Sequence, residues 1–162
     1  MTKNPHAYDL FLKGVNVYAY AKSTDRTKNG LEAIKFLEEA LRLDPNFPSA
    51  AQYLSIINTE LASGWLWDPT ERERHAEEAK RWAERAAQLM PGGAGVNALA
   101  YFCLSVERDA PRGLALAEKY LQPRPHDSDA CVWIGLALER LGRVGAAEMQ
   151  GRQAVALNPR ER

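Results

Sequence analysis

The stretch Asp129–Pro159, DACVWIGLALERLGRVGAAEMQGRQAVALNP, decides how the rest of the chain is read. Two apolar-patterned segments meet at Leu141-Gly142-Arg143, and the second stops at a proline. The same kind of ending occurs three times upstream, in ALRLDP at Pro45, AAQLMP at Pro91 and KYLQPRP at Pro125. Proline lacks an N–H and pushes the preceding residue out of helical geometry, so the four prolines mark helix ends. Their spacings are 46, 34 and 34 residues, and a period of 34 has room for two helices and two turns.

Small residues recur within each unit at the places where two paired helices must touch. The last unit has Gly135, Ala147 and Ala154 before Pro159; the first has Gly14, Ala33, Leu37, Ala40 and Pro45. Leu54, Ser55, Ala79, Ala83, Ala86 and Pro91 form the set in the second. The third, Ala94 to Pro125, keeps the length but carries Gly113 and Tyr120 in slots where alanine is usual. In this pattern the chain resembles the tetratricopeptide repeat (TPR). The resemblance implies an all-α fold, an α-solenoid of about four helix-turn-helix units in a right-handed superhelix. It implies one domain over 1–162, with repeats near 7–45, 48–91, 94–125 and 128–159 and insertions near 23–30 and 64–75.

The insertions account for the two long units. Between Gly14 and Ala33 there are about seven residues more than between Gly135 and Ala147, and STDRTKNG is expected to lie between helices. The second unit is longer by twelve. There Asp68, Pro69 and Glu71 read as an N-cap, a proline in the first helical position and a capping-box acid. They predict a helix from about Pro69 to Met90. Ala76, Ala79, Ala83, Ala86 and Ala87 form its apolar stripe, and Arg72, Glu73, Glu77, Lys80 and Glu84 face water. Gly64 to Trp67 then form an elbow, with Trp65 and Trp67 packing the protruding helix pair.

Charge and motif content narrow the function. With 21 acidic and 21 basic residues, the footprint of a nucleic-acid binder is missing. No apolar run approaches bilayer-spanning length and MTKNPHAYDL is unlike a signal peptide, so a cytoplasmic protein without membrane contact is expected. Gly93-Ala94-Gly95-Val96-Asn97-Ala98 matches a dinucleotide-binding pattern, but a helix end precedes it instead of a strand, so the glycines read as a turn between repeats. His75, Glu78 and Glu71 lack a second ligand cluster, and no metal or other cofactor is expected. Cys103 and Cys131 read as buried thiols. No GxSxG, P-loop or paired-carboxylate pattern occurs, which implies a non-enzymatic protein.

What remains is binding. In TPR arrays the first helices of the units line a concave groove that holds a peptide or a partner helix. Projected onto this chain, that groove comprises Tyr8, Phe11, Val15 and Tyr18, then Gln52, Ile56, Thr59 and Glu60. Ala98, Phe102 and Ser105 follow, and then Val132, Leu136 and Arg140. The cationic slots of chaperone-tail clamps are occupied here by Phe11, Val15, Tyr53, Gly95 and Leu99, which excludes that ligand. The resemblance thus implies an interaction scaffold for a protein or peptide segment. The alternative is a homo-oligomerising or regulatory domain. For this, NPHAYDLFLKG and LRLDPNF are similar to the opening of TPR regions that follow nucleotide-cyclase or winged-helix domains in larger bacterial signalling proteins.

Overall fold

Capping and proline placement divide the chain into helices as the spacing requires. The computed structural model describes residues 2–20, 25–66 and 68–158. Among them are eight α-helices and no strand: α1 Pro5–Ala19, α2 Arg26–Leu43, α3 Pro48–Glu60, α4 Pro69–Leu89, α5 Ala94–Phe102, α6 Ala110–Leu121, α7 Ser128–Arg140 and α8 Val144–Leu157. Helix α2 stops two residues before Pro45 and α4 two before Pro91, as the loss of helical geometry ahead of proline demands. At the other ends, Asn4, Asp68, Asp109 and Asp127 accept hydrogen bonds from free N–H groups of α1, α4, α6 and α7.

Each helix packs on its neighbour in sequence, and α3 also packs on α5. The resulting all-α repeat fold has a core whose bulk comes from Phe47, Leu37, Leu54, Ile57, Leu61 and Leu104, all fully buried. Small residues set the helix separations. At Gly113 a Cβ would lie 2.6 Å from Leu104, so the slot where alanine is usual needs glycine here.

Three local expectations change. Arg26 to Gly30 belong to α2, so this part of the first insertion lengthens a helix. Gly95 lies inside α5, not in the turn, and a side chain there would overlap the Ala86 carbonyl of α4. Glu71 accepts a hydrogen bond from Arg74 at 2.5 Å, one turn along α4, where the sequence suggests a capping box. His75 is buried on the inner face of α4, beside the expected stripe of Ala79, Ala83 and Ala86. Helix α4 itself begins at Pro69 as anticipated.

Helices α3 and α5 both end in a wide turn in which hydrogen bonds reach one residue further than in an α-helix, at Leu61–Trp65 and Cys103–Glu107. The first breaks at Gly64, and the second leads into Arg108 in the left-handed region. Trp67 and the ring of Trp65 lie outside the described residues, and with them the expected packing of the elbow.

Candidate partner-binding cavity

The odd-numbered helices share one surface, and a cavity of about 240 Å³ opens on it. Tyr18 comes from α1; Gln52, Tyr53, Ile56 and Glu60 from α3; Asn97, Ala98 and Tyr101 from α5; and Trp133 from α7. Helical spacing explains the grouping. Tyr53, Ile56 and Glu60 stand at i, i+3 and i+7, and Asn97 and Tyr101 at i and i+4, so each set lies on one face.

Its walls are aromatic, and its polar groups include the Glu60 carboxylate and the amides of Gln52 and Asn97. Tyr101 stacks on Trp133 with ring centroids 4.4 Å apart, and Tyr18 meets Tyr53 edge-on at 6.4 Å. The Tyr18 hydroxyl donates to the Glu60 carboxylate, while Oε2 of Glu60 is buried without a hydrogen-bond partner. Burial raises the carboxyl of Glu60 above its ordinary range, against the Tyr18 bond and the charge of Arg26, which favour the anion. Burial, with the charge of Glu60 adding to it, pushes the Tyr101 hydroxyl up to about 12. Oδ1 of Asn97 is also buried and without a partner.

The residues expected to line the groove are thus only partly together. Tyr18, Gln52, Ile56, Glu60 and Ala98 meet in the cavity. Phe11 is half-buried in an aromatic cluster with Tyr8, Phe47 and Tyr53, at centroid distances of 6.2, 5.0 and 5.6 Å. Tyr8 is exposed at its edge and Val15 is half-buried. Ser105 and Arg140 border a separate, more polar depression of about 540 Å³ with Ser63 and Arg108. Val132 is exposed, and Leu136 packs partly against the α5–α7 core.

Thr59 and Phe102 are not on this surface. Thr59 is fully buried, and Phe102 joins Ala79, Ala83 and Cys103 in a core cluster under α4. The expected groove set leaves out Asn97, Tyr101 and Trp133, and it names Tyr53 only as the occupant of a chaperone-clamp slot. Tyr53 and Asn97 adjoin Gln52 and Ala98, which line the cavity with them, whereas Tyr101 and Trp133 stand one position, or about 100° around a helix axis, from Phe102 and Val132. The signal that could have corrected this offset was the aromatic residue itself. Tyr53, Tyr101 and Trp133 recur on successive first helices.

Comparison with known proteins agrees with this architecture. The tetratricopeptide-repeat family model matches residues 18–47. A thermophilic TPR protein of Thermus thermophilus superposes with a TM-score of 0.75 at 19% identity, over 94% of this chain and 75% of that one. The MamA RS-1 ArsTM double mutant gives a TM-score of 0.63 at 18% identity, over 99% and 79%. In sequence, the chain is 37% identical over 67 residues to the regulator of microtubule dynamics protein 1 of Rattus norvegicus. That match covers 38% of this chain and only 22% of the rat protein. The chain thus carries a tetratricopeptide-repeat match at residues 18–47 within an all-α repeat fold shared with solved TPR proteins. Among the described residues, no helix is long and apolar enough to cross a membrane.

Proposed function

We propose that the chain is a non-enzymatic scaffold that holds a peptide or partner helix along the surface formed by α1, α3, α5 and α7. One observation carries this reading: a cavity lined by side chains from four different units, all from their first helices. An assembled surface of this kind is what a segment lying across the repeats would contact. Among the described residues, the larger depression, of about 820 Å³, is lined by side chains of a single helix, α2, between Thr27 and Phe36. The two thiols also fit a scaffold, since both are buried and burial raises both above the range in which thiolates form at neutral pH. Exposed Val144, Met149 and Val155 on α8 leave self-association as the other use of the molecule's surface.

The test is affinity capture from cells with the wild type and with Tyr101→Ala. Partners held through the cavity are lost in the variant while its thermal melt stays cooperative. Identical capture by both proteins would place the binding surface elsewhere.

A further inference from the structure

The odd-helix cavity has a chemical bias that goes beyond a generic groove. Among its described lining residues, only Glu60 bears a formal charge. Two acceptor atoms of its lining residues, Glu60 Oε2 and Asn97 Oδ1, are closed to solvent and meet no donor among the described residues. A buried acceptor without a donor costs free energy, and the cost is larger for a carboxylate, so an apolar occupant would fill the space and keep the penalty. An anionic occupant would add repulsion. The occupant that removes the deficit is a donor carrying positive charge.

Aromatic walls strengthen this choice. Tyr18, Tyr53, Tyr101 and Trp133 border the same space, and the faces of such rings attract a cation. Size then selects among cations. At about 240 Å³ the cavity falls below the roughly 300 to 1,000 Å³ of drug-sized ligand sites, which suits one side chain and not a whole small molecule. Arg26 contributes its charge to Glu60 from the start of α2 but does not line the cavity.

We infer that the cavity is the anchor pocket for a lysine or arginine side chain of the bound segment, with Glu60 and Asn97 accepting its N–H groups and the aromatic rings enclosing its stem and head. This rests on the scaffold reading above and names the chemistry of its partner.

A random-peptide display library panned on the wild-type protein supplies the probe. Peptides that seat in the cavity are recognised by a shift of the Trp133 indole resonance in the wild type, which needs no variant. The expected result is a shared lysine or arginine among those peptides. Replacing it with norleucine or citrulline then weakens binding by about tenfold. Glu60→Gln weakens the unaltered peptide comparably, and both changes together cost little more than either alone, as coupling between the two groups requires. Peptides that shift Trp133 yet tolerate norleucine and Glu60→Gln would overturn the cation pocket and leave the scaffold reading standing. Failure of every enriched peptide to shift Trp133 would overturn both.

Discussion

Nδ1 of His75 lies 2.6 Å from Oδ1 of Asn58, a buried contact that joins α4 to α3. Asn58 donates its Nδ2 to the Leu54 carbonyl at 2.7 Å, which fixes the amide so that Oδ1 faces the ring as an acceptor. Nδ1 therefore carries the proton and Nε2 is bare in the neutral imidazole. Nε2 faces the Arg74 guanidinium at 3.4 Å, while Glu71 and Glu78 stand near enough to favour the charged ring weakly.

Acid should loosen this joint. Burial, reinforced by Arg74, lowers the His75 pKa below its ordinary value. Between the folded and unfolded values the unfolded chain holds more protons, so stability falls as the pH drops from about 6.5 toward the depressed value. Melting temperatures measured from pH 8 to 5 should show this loss in the wild type and much less of it in His75→Gln. At neutral pH, His75→Ala should cost about 1 to 3 kcal/mol, because it leaves Asn58 Oδ1 buried and unpaired.

Two glycines should respond to alanine with opposite signs. Gly95 packs its backbone against that of Ala86, and any Cβ must push α5 from α4, at a cost of about 1 to 3 kcal/mol. Gly151 sits within α8, and a methyl group there would meet nothing within 4 Å, so Gly151→Ala should gain about 0.5 to 1 kcal/mol from helix propensity. Denaturant unfolding of the two variants beside the wild type reads both.

How far the sequence reaches is clear from these residues. The proline period gives the helix ends because proline acts locally, through its own ring and the residue before it. Asp68 and Pro69 likewise place the start of α4 from neighbouring atoms alone. Gly95 reads as a turn residue in the sequence because the need for it comes from Ala86 on another helix, which no local pattern reveals. The cavity falls between these cases. Family resemblance points to the first helices, and Tyr18, Ile56 and Glu60 of the expected set line the cavity. On α5 and α7 the cavity takes Tyr101 and Trp133 beside the expected Phe102 and Val132, which fit an apolar groove equally well. What decides is which side α4 and α6 cover, and that is a tertiary fact.

The thiols offer a separate check on the core. Cys103 and Cys131 are fully buried, and burial pushes the Cys103 thiol up to about 12. Neither should react with a water-soluble disulfide reagent at pH 8 on the time scale of mixing, and both should react once the chain is unfolded in guanidinium. Prompt reaction of one thiol in the native protein would show that α5 or α7 opens locally.

Glu60 should be kept at a cost to stability. Its folded pKa is raised, chiefly by burial, so between the ordinary carboxylate value and the raised one the folded chain holds the extra proton. Stability therefore falls as the pH rises through that window, and at neutral pH the buried anion works against folding. Glu60→Gln keeps the shape and removes the charge, so the variant should melt higher than the wild type at pH 7. The gap should close as the medium is acidified below the ordinary carboxylate range, where the wild-type side chain is neutral in both states. A Glu60→Gln protein less stable than the wild type at pH 7 would mean that Tyr18 and Arg26 already compensate the charge. A more stable one would mark Glu60 as a residue whose presence folding alone does not explain.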